Sequence, residues 1–235
     1  MHDAPGAISA PGTLRASLLL ARKDIAIEFR TRTAFLSAVV FAMLGVTIFF
    51  FAWDATAVTA QDIAPGVLWV IFTFTALLGL QRSFGGEMSD RAVDALLSAP
   101  VSRESIYLGK ALANLAFVLG VLAITLPAVV LFYNLPVGSG IVALGGVAIL
   151  AAIGFVAVGT LFSAMAVNTR MAELLLPMLC LPFFVPIVMS AAQASARLMA
   201  GRPVEEAWPW LRILIAFDMV FITACTLAFP FIIDE

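Results

Sequence analysis

Apolar positions in this chain neither alternate nor form stripes over most of its length; they run on without interruption. Six such stretches, at about 34–53, 63–81, 111–133, 141–167, 171–193 and 210–233, each approach or exceed the roughly 20 apolar residues that carry a helix across a bilayer core of about 30 Å. The fourth is long enough to require tilt or a bend. An all-α integral membrane protein of six transmembrane helices is therefore predicted, and the first apolar run is expected to act as an uncleaved anchor.

Two segments break this pattern with helical periodicity. Before the first span, within the tail and lead-in at 1–33, Leu14, Leu18, Ala21, Ile25 and Phe29 fall on one narrow stripe flanked by Arg15, Arg22 and Lys23. That pattern suits an amphipathic helix lying in the membrane interface beside anionic lipid headgroups; a lead-in helix packed on a neighbour is the alternative. Between the second and third spans the chain reads FGGEMSDRAVDALLSAPVSRESIYLGK (84–110). Ser89 or Asp90 can cap a short helix at about 89–99, because a side-chain oxygen there satisfies an N–H that the helix cannot. Val93, Leu96 and Leu97 then share one face, with Asp90, Arg91 and Asp94 largely on the other. Pro100 ends that helix, and Ser102 can cap the next, with Glu104 in its first turn. A short helix of this kind either fills a groove in a partner or lies on the membrane surface.

Composition agrees with lipid as the solvent. The 235 residues are 63% hydrophobic and 12% charged, with a mean hydropathy of +1.08, whereas soluble domains average about 45–50% apolar and about 25% charged. A formal net charge of −2 offers no basic excess for nucleic acid. The distribution of basic residues is more telling than their sum. Arg15, Arg22, Lys23, Arg30 and Arg32 precede the first span, Arg82, Arg91, Arg103 and Lys110 follow the second, and Arg170 follows the fourth. The intervening loops at 54–62 and 134–140 carry no Lys or Arg, so the positive-inside rule places both termini and the polar island in the cytoplasm. Arg197, Arg202 and Arg212, on the opposite side with Glu205 and Glu206, do not fit that rule.

Chemistry within the chain is sparse. The Gly109-Lys110 pair lacks both the earlier glycine and the following Ser or Thr of a phosphate-binding loop, so any ATP hydrolysis falls to another chain. Cys180 and Cys225 sit in apolar runs without metal or haem-attachment spacing. The one histidine is His2, and axial haem ligation is expected to be a partner's task. No His/carboxylate or Ser/His arrangement suggests an enzyme, and the chain is expected to bind no cofactor itself.

Several positions inside the spans stand out. Pro177, Pro182 and Pro186 each remove a backbone hydrogen bond from the fifth span, and suit either a gating or dimer surface or a static kink. Asp218 lies inside the sixth span, where a central carboxylate costs about 2.5–3.5 kcal/mol on insertion scales; a partner on another span is expected. Asn168, Arg170 and Glu173 lie at the mouth of the fifth span, as a second cytoplasmic contact or a solvated helix end. Gly159 and Ser163 allow close helix approach. Residues 194–209 are expected to form a short helix and turn on the outer side, closed by an aromatic belt at Trp208-Pro209-Trp210.

Taken in order, ARKDIAIEFRTRTAF (21–35), APGVLWVIFTFTALLGLQRSF (64–84), VDALLSAPVSRESIYLGK (93–110), VGTLFSAMAVNTRMAELLLPMLCLPFFVPIV (158–188) and IAFDMVF (215–221) resemble the haem exporter protein B family, CcmB, over nearly the whole chain. The resemblance implies an ABC-2-type permease of the bacterial inner membrane that serves c-type cytochrome maturation. It implies a separate ATPase, CcmA, that binds ATP and Mg²⁺ and docks on the island as coupling helix through Asp90, Val93, Asp94, Leu96, Leu97 and Arg103. It further implies small membrane partners (CcmC, CcmD), a periplasmic haem chaperone (CcmE), a permease homodimer, and haem as cargo held by partners. The stretch GGEMSDRAVDALL departs from the more acidic, Cys-containing version frequent in that family. An ABC-2 permease for lipid, polysaccharide or drug is the alternative. An ion-coupled carrier, less favoured, would want paired ionisable groups at mid-membrane and an internal repeat.

Overall fold

A computed structural model describes residues 12–81, 102–136, 138–167 and 172–233. They form seven helices: α1 (Thr13–Thr31), α2 (Thr33–Ala52), α3 (Ala60–Gln81), α4 (Arg103–Phe132), α5 (Ile141–Val167), α6 (Ala172–Met199) and α7 (Trp208–Ile233). Short 3-10 turns at Gly138–Gly140 and Val204–Glu206 precede α5 and α7. Helices α2 to α7 are each long and apolar enough to cross a membrane. At 1.5 Å per residue, even the 20 residues of α2 reach across the hydrocarbon layer.

Six crossings return the chain to the end from which it started, so α1, the start of α4 and the end of α7 share one end. α3 and α5 lie innermost. α5 is bracketed by α4, α6 and α7, and α3 by α2, α4 and α6. In lipid there is little hydrophobic force between helices, so close packing and interhelical hydrogen bonds must hold the bundle. A ring stack runs from Trp69 through Phe72 and Phe155 to Phe184, with centroids 5.3, 4.8 and 4.0 Å apart in turn, joining α3, α5 and α6. Trp69 Nε1 donates to Ser195 Oγ at 3.0 Å, Tyr107 Oη to the Ala157 carbonyl at 2.9 Å, and Asn114 Nδ2 to Thr160 Oγ1 at 2.9 Å. Ser163 Oγ donates to the Leu80 carbonyl at 2.8 Å. One turn away, Gly159 leaves the space that the Leu80 side chain occupies. The small pair Gly159/Ser163 is thus the seat of α3 on α5.

Helix boundaries differ from the apolar runs where polar turns continue a helix. α4 begins at Arg103, well before the apolar run at 111, because Ser102 Oγ caps it by accepting from the Ser105 N–H. α6 continues through residues 194–199. The separate outer helix and turn expected at 194–209 therefore shrink to a link of a few residues and the turn Val204–Glu206. Ser195 explains the extension: its bond to Trp69 gives those last turns a buried attachment that hydropathy does not register. At the α2–α3 link, Asp54 accepts from the Thr56 N–H and hydroxyl at 2.9 and 2.7 Å. These bonds hold its carboxyl below the usual carboxylate range.

Candidate functional site

The end that carries α1 and the start of α4 is built around a seam of small residues. On α1, Ala16, Ser17 and Ala21 are buried. They meet Ser105 and Gly109 of α4: Ser105 Oγ donates to the Thr13 carbonyl at 3.3 Å. A Cβ on Gly109 would stand 2.7 Å from Leu20 Cβ and 3.0 Å from the Ser17 carbonyl oxygen, so only glycine lets the two backbones approach this closely. At the end of the seam Lys110 Nζ lies 3.0 Å from Asp24 Oδ2, its side chain 6% exposed against 18% for Asp24. Lys23 Nζ approaches the other oxygen at 3.2 Å. The lysine of the incomplete phosphate-loop motif is thus a structural cation.

α1 is tied to α2 as well. Arg32 takes the left-handed conformation at φ 56°, and its N–H donates to the Glu28 carbonyl at 2.7 Å. Glu28 Oε1 then accepts from the Phe35 N–H at 2.8 Å, satisfying one of the orphan donors at the start of α2. The apolar stripe expected on α1 is split: Ala21 is buried in the seam with α4, whereas Leu14, Leu18 and Phe29 are 76, 62 and 70% exposed. α1 thus packs on α4 through its small residues and leaves those large apolar side chains outside the bundle.

Arg103, within the polar stretch 84–110, opens α4 and is half-buried. Asp90, Val93, Asp94, Leu96 and Leu97, with the short helix expected at 89–99, lie outside the described residues, as do Asn168 and Arg170. Glu173 is the second residue of α6. Of the stretch 84–110, the structure therefore describes residues 102–110, at the start of α4.

Pro177, Pro182 and Pro186 all lie inside α6, which runs through them as one helix. Pro182 and Pro186 are exposed, on the same side as Met178, Val185 and Met189. Asp218, for which a partner on another span is expected, is 6% exposed on α7. Neither carboxylate oxygen has a hydrogen-bond partner among the described residues, because the facing surface of α5 offers Gly154, with α6 offering Ile187. A Cβ at position 154 would stand 2.7 Å from Asp218 Oδ1 and 3.1 Å from Ile187 Cδ1. Gly154→Ala is accordingly expected to destabilise the bundle by about 1–3 kcal/mol through overpacking. Adding Asp218→Ala should recover much of that loss. Thermal unfolding of the four chains of this cycle checks it, and strictly additive costs would refute the contact.

The three arginines that break the charge rule each have a local partner at the opposite end. Arg197 donates to the Gln193 carbonyl and Oε1 and stacks over Trp210 at 5.3 Å. Arg212 stacks over Trp208 at 5.5 Å, and Arg202 pairs with Glu206 at 3.2 Å. Nearby, Phe50, Trp53, Phe132 and Tyr133 form an aromatic cluster between α2 and α4. Both thiols, Cys180 and Cys225, are buried. The crevice between α3 and α4, lined by Phe72, Thr75, Ala76, Phe117, Val118 and Val121, encloses no room even for a water molecule, whereas small-molecule sites enclose roughly 300–1,000 Å³.

Six membrane-crossing helices held by small-residue seams and a few buried hydrogen bonds, with an amphipathic helix clamped to one end, define a polytopic membrane protein of the permease type. The family model described as CcmB protein matches residues 15–234, and the chain belongs to that family. It is 31% identical over 206 residues to "Heme exporter protein B" of Paracoccus denitrificans (strain Pd 1222), covering 88% of this chain and 89% of that one. A protein of the same name from Pseudomonas aeruginosa is 28% identical, over 86% of this chain and 90% of its own. The one from Rhodobacter capsulatus is 27% identical, over 79% and 85%.

Proposed function

We infer that this chain is the membrane permease subunit of an ABC-type haem exporter complex serving c-type cytochrome maturation. The observation that carries the reading is membership of the CcmB family along 15–234, over a chain whose six spans leave one polar island at the end carrying the termini. The permease lies in the bacterial inner membrane with both termini cytoplasmic, in keeping with the excess of Lys and Arg at that end. ATP and Mg²⁺ bind a separate, CcmA-like ATPase, since the Gly109-Lys110 pair lies in the α1–α4 seam and lacks the phosphate-loop sequence.

In this reading the island docks on that ATPase through Val93, Leu96 and Leu97, with Asp90, Asp94 and Arg103 at the rim. Asn168, Arg170 and Glu173 form a second contact on the same side. Displacement of the island reaches α4 directly and, through Lys110 and Asp24, moves α1 and α2 with it. Haem is cargo, handled by CcmC-like and CcmD-like membrane partners and a CcmE-like periplasmic chaperone, and the chain itself holds no cofactor. Two permease copies pair, and the proline-bearing face of α6 is one surface on which they could meet. The work of this subunit is conformational: it couples hydrolysis to delivery of haem or to release of the loaded chaperone.

Haem staining of c-type cytochromes in a strain lacking the gene tests this. Stained bands are expected to vanish and to return with the gene. Persistent bands would overturn the maturation role and favour the alternative, an ABC-2 permease exporting a lipid, polysaccharide or drug.

A further inference from the structure

α1 has three sides, and among the described residues the other helices cover one of them. Ala16, Ser17, Leu20 and Ala21 face α4 or are buried with it. The adjoining side carries exposed Leu14, Leu18 and Phe29, and beyond it, by helical spacing, come Arg15 and Arg22 and then Arg30, all exposed. The helix contains two carboxylates, and the bundle takes up both. Asp24 is held by Lys110 and Lys23, and Glu28 Oε1 accepts from the Phe35 N–H. The outward surface of α1 is therefore apolar and cationic, although the sequence of the helix carries both signs.

We propose that this surface binds anionic phospholipid headgroups, with Arg15, Arg22 and Arg30 at the phosphates and Leu14, Leu18 and Phe29 in the acyl boundary. Charge complementarity selects the ligand. Arginine presents a planar fork of donors suited to phosphate oxygens, and an apolar stripe beside a basic edge is the pattern of a helix lying in the interface. The α1–α2 corner continues directly into a membrane span, which brings the helix to headgroup level. Because the seam and the Lys110–Asp24 pair join α1 to α4, a lipid-anchored α1 also holds the first turns of α4 against the membrane surface. The proposal stands independently of the cargo, so failure of the haem-stain test leaves it intact, and the converse holds.

The full-length chain, purified in a neutral detergent, is titrated with phosphatidylglycerol or with phosphatidylcholine; bound lipid is read by native mass spectrometry and the unfolding midpoint by heating. Phosphatidylglycerol is expected to be retained and to raise the midpoint, and phosphatidylcholine to do neither. R15Q/R22Q/R30Q should weaken phosphatidylglycerol binding about 100-fold, three surface charges having been removed. Its midpoint in phosphatidylcholine should match the wild type. R15K/R22K/R30K, which keeps the charge, should retain most of the response. Equal responses of the wild-type chain to the two lipids would overturn the proposal. So would an undiminished phosphatidylglycerol response in the glutamine variant. Loss of ATPase co-purification in that variant, with no preference between lipids, would assign the surface to a protein partner instead. Should the triple variant fail to fold, R22Q alone is expected to show a partial loss, and its absence counts against the proposal.

Discussion

Lys110→Met is expected to loosen α1 from α4 and to destabilise the chain by about 3 kcal/mol, the lower end of what removing one member of a buried pair costs. Methionine keeps the apolar stem that packs in the seam but leaves the Asp24 carboxylate without its closest cation, which lies 3.0 Å away. The effect stops short of the full range because Asp24 is 18% exposed and Lys23 Nζ remains 3.2 Å from its other oxygen. Lys110→Met combined with Asp24→Leu should recover much of the loss, since an apolar pair of similar volume carries no desolvation cost. Thermal unfolding and protease cleavage within α1 report both changes. If the single variant unfolds like the wild type, or the double variant is no better than the single, the pair does not clamp α1.

Leu96→Glu is expected to abolish co-purification of the partner ATPase and, with it, holo-cytochromes c, while leaving insertion and yield of the permease unchanged. In the proposed docking Leu96 is a central apolar anchor, and a glutamate there is a charge that must be buried unpaired, a loss of about 2 kcal/mol or more and roughly 30-fold or greater in affinity. Asp94→Asn, on the polar side of the helix expected at 89–99, should change co-purification far less. Retention of the ATPase by Leu96→Glu would refute the coupling-helix assignment.

Lys110 and Asp218 show opposite limits of reading such a chain as a string. Lys110 falls at the edge of an apolar run and looks like an ordinary interfacial lysine. Its burial depends on Asp24, far away in sequence, and no periodicity links them. Asp218 was legible as a costly group needing a partner, but whether a facing helix supplies one depends on rotation and register, and α5 presents Gly154 there. The end of α6 was missed for a related reason. Residues 194–199 are too polar for a hydropathy run, and they remain helical because Ser195 is held by Trp69. The Ser102 cap, by contrast, is local, and its residue type and spacing were enough to find it.

Legible from the string of residues were the solvent, the number of crossings, the returning topology and the family. These follow from run lengths, charge distribution and local motifs, which need no knowledge of neighbours. Tertiary structure alone decided which faces meet: that α1 turns its acids inward and its arginines out, that Gly109 and Gly159 are contact points, and that Asp218 faces no donor among the described residues. In a chain this apolar nearly every helix face is greasy, so hydropathy cannot choose among them. Steric fit and a few polar bonds make that choice, and they exist only once the helices are side by side.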